Sequence, residues 1–390
     1  MINVRKPLRV CIQQPTLAAY RVPLYRELAA SSGLTVKIFH GNSQDIPNCG
    51  ADGFETEEIY EKVIFCDQVI WQYAQLSLAT RRECDVLVLS GNLRYASLLP
   101  ALLRCRLNGV ATVLWGHHYS KKGGTVADWL RNNLLFRHAD CILCYSQDVA
   151  RQIRCDNRFT EKTLVAPNAI DQEPIETAKR WWLNNRTALS KFKQDSGIEE
   201  GPNLLFVSRI KPRNQLQTLL DVLKSVKKSY SSATASIVGA HGDEQKRIAR
   251  IASEMGLSQS VFFPGAIYDE MKLAPWFLSA TVFFYPSQIG LSLFHAFGYG
   301  LPVVAGVHFR DRNPEIEALI HSENGFLFYQ EDPEQATEQV LRIIENPNLH
   351  MALSRGASET VANKFNIKTM SRYYKDAILF SARKRGLVLD

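Results

Sequence analysis

The sequence predicts an α/β protein built from two doubly wound, Rossmann-like domains. A chain of 390 residues is too long to fold around one ordinary hydrophobic core, and its length fits two domains of roughly 180 residues each. Short apolar runs rich in β-branched residues alternate with helical patterns in both halves, which is typical of parallel sheets covered by helices. The polar stretch Asp171–Glu200, followed by Gly201-Pro202-Asn203, separates the two series and is predicted to be the passage between the domains.

Each half contains six predicted strands, and helices are predicted between them. In the first half the strands are Leu8–Ile12, Thr35–Phe39, Val86–Ser90, Ala111–Trp115, Cys141–Tyr145 and Thr163–Ala166, and the helices are Val22–Ala30, Leu76–Arg81, Tyr95–Leu107, Ala127–Phe136 and Gln147–Arg154. In the second half the strands are Asn203–Val207, Ala235–Val238, Val261–Phe263, Thr281–Tyr285, Pro302–Ala305 and Gly325–Tyr329, and the helices are Leu216–Ser229, Asp243–Glu254, Glu270–Leu278, Leu291–Gly298 and Pro333–Glu345. A last helix, from about Thr369 to Lys384, has no strand after it. Ligands of such sheets bind at the carboxyl ends of the strands.

The composition, 46% hydrophobic and 22% charged, is that of an ordinary globular protein. No apolar run approaches the roughly 18 residues that span a bilayer, and the first residues lead directly into a strand, so we expect a cytoplasmic protein without a signal peptide. All eight cysteines lie at or before Cys155. Cys141 and Cys144 form a CxxC inside a strand pattern, but no second pair completes a zinc site. We therefore expect reduced thiols, no metal and no cofactor.

Part of the net charge of +7 is concentrated between Arg94 and Arg137, where the sequence contains seven basic residues and one carboxylate, Asp128. Leucines, Trp115 and Trp129 are interleaved with them. One interpretation is peripheral docking on an anionic membrane surface, the cytoplasmic face of the inner membrane. The other is a set of helices with cationic outer faces. Nucleic acid is a weaker alternative, since no recognised binding motif accompanies the charge.

The stretch from Phe284 to Val304 is the most informative part of the chain. An apolar run ends at Pro286-Ser287, Gly290-Leu291-Ser292 opens a short helical pattern, Gly300 closes it, and a β-branched strand follows. This order predicts a strand–loop–helix–strand unit. The free backbone N–H groups at the start of such a helix point at the loop and favour a phosphate there.

This frame resembles the donor-nucleotide motif of glycosyltransferase family 4, whose members are retaining sugar transferases of the GT-B fold. Gly290, Leu291, Ala296, Gly300, Pro302, Val303 and Val304 fall on the motif. Relatives carry a Glu-x7-Glu pair that holds the donor sugar and the ribose, at positions taken here by Ser287 and His295. Neither replacement brings a fixed negative charge. The variant is similar to a branch of bacterial polysaccharide transferases. The resemblance implies donor contacts at Ser287, Gly290, Leu291, Ser292 and His295.

The loop after the strand Asn203–Val207 is similar to the family's diphosphate loop. Arg209 falls on the family's arginine, whose planar guanidinium can bind phosphate through two parallel hydrogen bonds. The family's lysine is replaced by Asn214, and Lys211 or Arg213 could compensate for it. All four are candidate donor-binding residues, with a cationic surface loop as the alternative. The strand ending at Gly265 resembles the one whose main chain contacts the nucleobase in relatives.

Candidate residues of the first domain follow predicted strands. His117 comes directly after Trp115-Gly116, where relatives place a histidine beside the donor sugar, and His118 is interpreted as structural. Lys121 and Lys122 could meet a phosphate or simply belong to a solvated loop. Tyr20 and Arg21, which precede the next helix, are acceptor-side candidates because the Tyr-Arg-Val-Pro opening is similar to the polysaccharide branch.

The resemblance implies a GT-B protein with an acceptor-side domain at 1–180, a donor domain at 181–368 and a helix at 369–390 that crosses back to the first domain. It further implies transfer of a sugar from a nucleotide diphosphate to a glycan or polyprenol-linked acceptor, in cell-surface polysaccharide or lipopolysaccharide synthesis. His117 and Arg209 are the expected catalytic residues, without a metal, since no Asp-x-Asp is present. The altered glutamates and Asn214 leave an alternative, a degenerate GT-B subunit that binds a nucleotide or a partner. The missing Gly-x-Gly-x-x-Gly and Walker loops argue against dehydrogenases and NTPases.

Overall fold

A computed structural model describes residues 6–42, 47–65, 69–118, 126–198, 201–308 and 313–388. The chain divides into two compact units, Met1–Ile170 with Ile367–Asp390, and Asp171–Asn366. Both divisions lie near the predicted ones at 180/181 and 368/369. The alternation of strands and helices in the two halves is confirmed, because each unit contains one large parallel sheet.

The first unit contains a seven-stranded parallel sheet in the order β3-β2-β1-β6-β7-β8-β9. A separate antiparallel hairpin is formed by β4 and β5. The elements are β1 Leu8–Gln14, α1 Val22–Ala29, β2 Leu34–His40, β3 Glu55–Glu58, β4 Glu61–Phe65, β5 Val69–Gln72, α2 Tyr73–Ser77, β6 Val86–Ser90, α3 Leu98–Leu107, β7 Ala111–Gly116, α4 Val126–Leu130, β8 Cys141–Cys144, α5 Gln147–Arg154 and β9 Thr163–Val165.

Three strands of this unit were not predicted. The residues of β3, Glu-Thr-Glu-Glu, are all exposed, so this edge strand carries no apolar alternation that could reveal it. The hairpin of β4 and β5 lies outside the large sheet, and Ile70 of β5 also forms an isolated parallel bridge with Tyr95. The predicted helix Ala127–Phe136 is a short α-helix, α4, that continues as a π-helical segment, Arg131–Phe136.

Side chains of the sheet pack on both of its faces, as the doubly wound prediction requires. In β1, Val10 and Ile12 belong to one buried cluster, whereas Cys11 belongs to the other. Successive side chains of a strand point to opposite faces, and apolar residues on both faces therefore bury both. Helix α1 covers the first face, while α3 and α5 cover the second.

The second unit contains a six-stranded parallel sheet in the order β12-β11-β10-β13-β14-β15. Its strand order reverses between β10 and β13, and such a switch point leaves a crevice at the carboxyl ends of the strands. The elements are α6 Glu173–Asn184, α7 Arg186–Asp195, β10 Asn203–Val207, α8 Leu216–Val226, β11 Thr234–Val238, α9 Asp243–Glu254, β12 Val261–Gly265, α10 Glu270–Leu278, β13 Val282–Tyr285, α11 Ser292–Gly298, β14 Val303–Val307, β15 Gly325–Tyr329, α12 Pro333–Glu345 and α13 Pro347–Asn363.

The polar stretch Asp171–Glu200 is not a simple passage between units, and that prediction was wrong. It forms α6 and α7, and Ile175 and Ala178 of α6 are buried. Lys179 Nζ donates to the Gly298 carbonyl at 3.0 Å, and Trp182 Nε1 donates to the Met271 carbonyl at 2.8 Å. These contacts explain why the second unit begins about ten residues earlier than predicted.

The last helix, α14 (Ile367–Lys384), packs on the first unit. Met370, Tyr374, Ala377 and Ile378 enter the cluster that also contains the inward side chains of α1. Arg385, just beyond the helix, pairs with the buried Asp140 at 3.0 Å. In the described residues, no helix combines the length and the apolar character needed to cross a membrane.

Candidate functional site

The strand–loop–helix–strand unit predicted from Phe284 to Val304 is present as β13, α11 and β14. Gly300 has φ +72°, in the left-handed region that glycine adopts without strain. In β14, a Cβ on Gly306 would lie 2.0 Å from the Pro286 carbonyl oxygen. Glycine at this position therefore lets the loop after β13 lie close against the neighbouring strand.

The loop between β13 and α11 is held from one side by Asn313. Its Nδ2 donates to the carbonyls of Gln288 and Ile289 at 3.2 and 3.1 Å. Ser287 is only 4% exposed, so the serine that replaces the first motif glutamate lies in the base of the loop. Gly290, Leu291 and Ser292 are half-buried, and among the described residues a Cβ on Gly290 would meet only Asn313 Nδ2, at 3.9 Å.

The loop after β10 is tied directly to the end of β13. Asn214 Nδ2 donates to Tyr285 Oη at 3.0 Å, and Tyr285 Oη donates to Ser208 Oγ at 3.3 Å. Burial raises the pKa of Tyr285, which keeps the phenol protonated as a donor. The backbone N–H of Lys211 donates to Asn214 Oδ1 at 2.8 Å. Asn214 is 4% exposed and its amide holds this loop, while its contact with the donor stays a prediction.

The three cations of this loop are all exposed. Arg209, Lys211 and Arg213 precede the buried Asn214 in sequence, and a short 3-10 turn, Pro212–Asn214, contains the last of them. A rigid loop with exposed cations next to a switch point can receive an anion at low conformational cost.

The loops after β10, β11 and β12 are packed backbone to backbone. Gly239 N donates to the Gly265 carbonyl at 3.0 Å, and a Cβ on Gly239 would lie 2.3 Å from the Ser208 carbonyl oxygen. Gly265 has φ +88°, and a Cβ there would lie 3.2 Å from His241 Nε2. Its carbonyl is engaged by Gly239, so any main-chain contact to a base uses the remaining backbone groups of this loop.

His295 lies beside a carboxylate that the sequence analysis missed. His295 Nε2 is 3.4 Å from Glu270 Oε2, and Tyr299 Oη donates to Glu270 Oε1 at 2.6 Å. Burial alone would raise the pKa of Glu270, but the His295 and Tyr299 contacts outweigh it and lower that pKa. A negative charge is therefore present at the second motif position after all, supplied by α10. The only sequence signal was its place at the start of that predicted helix.

In the first unit, His117 and His118 have different environments. His117 is exposed and its ring contacts Tyr145 at an interplanar angle of 50°, with ring centroids 4.8 Å apart. His118 is buried with φ 53°, and burial lowers its pKa to about 3, so the ring is neutral. Its Nε2 lies 2.9 and 3.1 Å from the carbonyls of Leu114 and Leu143 and must therefore carry the proton. The structure thus gives His118 the structural role that was predicted for it.

Arg21, one of the two acceptor-side candidates, is buried among aromatic rings. It is 6% exposed, and its guanidinium lies 5.0, 4.8 and 5.1 Å from the ring centroids of Tyr20, Trp115 and Tyr145. These cation–π contacts compensate its burial. Tyr20 is half-buried beside it. Lys121 and Lys122 lie outside the described residues.

Residues that could hold a metal are not grouped in the described chain, where no three His, Cys, Asp or Glu side chains are placed for one ion. The Cys141–Cys144 pair is buried in β8, and neither cysteine is in a disulfide. Burial raises the pKa of Cys141 well above its usual range, which disfavours the thiolate needed for metal binding.

Comparison with known proteins bears on this arrangement. Residues 189–360 match the family model described as glycosyl transferases group 1. An uncharacterised glycosyltransferase of Haemophilus influenzae is 24% identical over 283 residues, which are 71% of this chain and 72% of that protein. A GDP-mannose-dependent alpha-(1-6)-phosphatidylinositol monomannoside mannosyltransferase of Mycobacterium tuberculosis is 21% identical over 284 residues, 70% of this chain and 71% of the relative.

Among solved structures, HepE of Anabaena in complex with UDP is similar to this chain with a TM-score of 0.71. The two share 17% identity, and the similarity covers 96% of this chain and 99% of HepE. At such low identity the likeness establishes the fold and not the substrate. The chain therefore has the GT-B fold, with two Rossmann-like domains, and its second half is similar to the glycosyl transferases of group 1.

Proposed function

We propose that this protein is a retaining glycosyltransferase that moves a sugar from a nucleotide diphosphate to a glycan or lipid-linked acceptor. The observation that carries the proposal is the Asn214–Tyr285–Ser208 link, which joins the loops after β10 and β13 at the switch point of the second sheet. Ligands of open parallel sheets bind at such a point. The similarity of residues 189–360 to glycosyl transferases supports the same activity.

In the proposed reaction the diphosphate leaves with increased negative charge. Arg209, exposed beside this link, and the backbone N–H groups at Gly290–Ser292 would stabilise that charge, because preorganised donors act most strongly where charge develops. The bond from the anomeric carbon to the diphosphate oxygen breaks, and the acceptor oxygen bonds to that carbon on the same face while a phosphate oxygen takes the acceptor's proton. The sugar carbon thereby keeps its configuration, and no protein carboxylate need act as a base.

The donor contacts are proposed from the motif positions. His295, oriented by Glu270, contacts the ribose, Ser287 contacts the donor sugar, and His117 is the histidine beside that sugar. The main chain around Gly265 contacts the nucleobase. The nucleotide differs between similar proteins: the Mycobacterium tuberculosis relative is described as GDP-mannose-dependent, and HepE was solved with UDP.

The acceptor proposed is a glycan or polyprenol-linked saccharide of the bacterial cell surface. The resemblance to the polysaccharide branch supports it, as does the glycolipid acceptor in the name of the Mycobacterium tuberculosis relative. Peripheral contact with the cytoplasmic face of the inner membrane, through the basic residues between Arg94 and Arg137, is part of the same proposal. Metal independence is proposed with it, because Arg209 and backbone groups take the role of a cation.

A second candidate is a catalytically degenerate GT-B subunit that binds a nucleotide or a partner. The observation that favours it is the buried Asn214, whose amide is bonded within the protein where relatives carry a lysine. A nucleotide that binds without donor hydrolysis or transfer would support this function.

The test is a thermal-shift titration of the intact protein with UDP, GDP, ADP and CMP. A ligand that binds the native state alone raises the melting temperature, so one nucleotide should stand out. That nucleotide's sugar conjugates are then assayed for transfer. Absence of a shift with all four would contradict the donor site, and a shift without any turnover would favour the degenerate subunit.

A further inference from the structure

We propose that Glu61 binds hydroxyl groups of a saccharide acceptor at the carboxyl edge of the first unit's sheet. This inference rests on the proposed function, because it names the acceptor side of the same reaction. Glu61 begins β4, in the hairpin that the sequence analysis did not predict, and it is half-buried.

Loops that follow three strands converge on this carboxylate. A Cβ on Gly41, which directly follows β2, would lie 2.6 Å from both the carboxyl carbon and Oε1 of Glu61. The same Cβ would lie 2.9 Å from the carbonyl oxygen of Pro15, the residue after β1. Tyr95, from the segment after β6, reaches the carboxylate directly. Gly41 therefore makes room for Glu61 at the edge where parallel sheets bind ligands.

The surrounding loops are held in place. Asn48 Oδ1 accepts hydrogen bonds from Thr16 Oγ1 at 2.6 Å and from Leu17 N at 2.8 Å. Its Nδ2 donates to the Gly41 carbonyl at 3.0 Å. One asparagine thus joins the loops after β1 and β2, and the space around Glu61 is preorganised for a ligand.

One oxygen of the Glu61 carboxylate is engaged by the protein. Oε1 accepts from Tyr95 Oη at 2.9 Å and from Gln72 Nε2 at 3.0 Å. Burial raises the pKa of Tyr95, so its phenol stays protonated and donates. Gln72 is itself held by buried hydrogen bonds. The backbone N–H of Gln72 donates to Ser97 Oγ, and Ser97 Oγ donates to Gln75 Oε1. In the described chain, Oε2 makes no hydrogen bond.

A carboxylate at this position is less stable than a neutral amide would be. In the described residues Glu61 contacts only neutral donors, and a partly buried charge without a cation is less stable than an amide of the same shape. Glutamine could accept the Tyr95 and Gln72 bonds equally well. What the carboxylate adds is a second acceptor oxygen, and acceptor-only oxygens suit hydroxyl donors.

The adjoining surface is aromatic. Tyr60 and Tyr73 flank the Glu61–Gln72 pair of the hairpin, stack with ring centroids 6.5 Å apart, and are 74% and 51% exposed. Exposed aromatic rings next to a polar acceptor are typical of sites for ligands with both apolar and hydroxyl faces. A sugar ring has this chemistry, so the structure favours a saccharide over an anion here.

The experiment measures the binding of octyl glycosides to the full chain by saturation-transfer NMR, with UDP or the nucleotide of largest thermal shift present. The panel is octyl glucoside, galactoside, mannoside and N-acetylglucosaminide, with octyl sulfonate as a detergent control. At least one glycoside should bind the unaltered protein. Glu61→Gln should weaken that binding about tenfold or more, because its amide nitrogen replaces the free acceptor oxygen with a donor.

Two further variants keep the test interpretable. Glu55→Gln makes the same change at an exposed carboxylate of β3, and glycoside binding should stay within about twofold. Tyr60→Ala, at an exposed side chain that the fold does not need, should weaken binding about threefold to tenfold. Melting temperatures establish that each variant is folded.

Equal binding by Glu61→Gln and the unaltered protein overturns the inference, as does failure of the whole panel to bind. If nucleotides bind but Glu61→Gln has no effect, only this inference fails. If a glycoside binds through Glu61 but no nucleotide shifts the melting temperature, the saccharide site stands and the proposed transferase function fails.

Discussion

The first strand of each unit is followed by an arginine, and the two arginines have opposite environments. Arg21, after β1, is 6% exposed and lies among the rings of Tyr20, Trp115 and Tyr145. Arg209, after β10, is exposed in a loop that Asn214 holds in place. The same residue type at corresponding places is thus buried among aromatic rings in one unit and exposed in a loop in the other.

Arg209→Ala should have the largest effect on activity. Loss of a preorganised cation at the leaving diphosphate should lower kcat about 10²- to 10³-fold, while the melting temperature stays unchanged. Steady-state kinetics with the identified donor measure it. Arg250→Ala, at an exposed arginine of α9, is the matched control and should leave turnover intact. Near-normal turnover by Arg209→Ala would remove this residue from the reaction.

Arg21→Ala should show the reverse pattern. Loss of the buried cation–π contacts should lower the free energy of unfolding by about 2–3 kcal/mol. Urea denaturation measures this change. Arg26→Ala, at an arginine of α1 that pairs with the exposed Asp52, should cost less than about 1 kcal/mol. Unchanged stability together with a raised acceptor KM would contradict this stabilising role and support the acceptor-side role predicted for Arg21.

His295→Ala should produce a smaller change, on donor binding. A ribose contact acts in the ground state and the transition state alike, so the donor KM should rise more than kcat falls. Steady-state kinetics at varied donor concentration separate the two. A fall in kcat at constant donor KM would instead indicate that His295 acts only in the transition state.

Glu270→Gln should have the smallest effect and should be visible in the pH dependence of stability. The folded pKa of Glu270 is lowered, so its ionisation stabilises the protein above the unfolded pKa of about 4.3. That contribution disappears as the pH falls through the folded pKa. Urea denaturation from pH 7 down to pH 3.5 should show a shallower loss of stability in the variant than in the unaltered protein.

Glu331→Gln, at an exposed carboxylate with no described partner, is the control and should follow the unaltered protein. Identical pH profiles for the two glutamine variants would mean that the Glu270 contacts with His295 and Tyr299 contribute nothing to stability.

The sequence predicted the regular elements well where their pattern is strong. The second unit's six strands were found within one or two residues, because buried parallel strands are continuous apolar runs between helices. Strand β3 was missed because it is acidic and exposed, and β4 and β5 were missed because they form a short hairpin outside the large parallel sheet. Helix α6 was missed because its buried face is narrow, with Ile175 and Ala178 as its only buried residues.

Some features of the candidate site could be predicted from the sequence, and others could not. The frame around Gly290 and the arginine at position 209 follow from local order along the chain. The environments of Asn214 and Arg21 could not be predicted from the sequence, because each depends on neighbours from distant segments, such as Tyr285 and Trp115. Glu270 lies 25 positions from His295 and carries no motif, so only their contact reveals it.

By itself, the sequence determined the alternation of strands and helices, the two-domain α/β organisation and the motif frame, because periodicity and turn residues act over a few neighbouring positions. Only the tertiary structure decided which polar groups meet. It buried Arg21, exposed Arg209, placed Glu270 beside His295 and brought Glu61 to the sheet edge. The physical reason is that burial, pairing and the resulting pKa shifts depend on groups far apart in the chain.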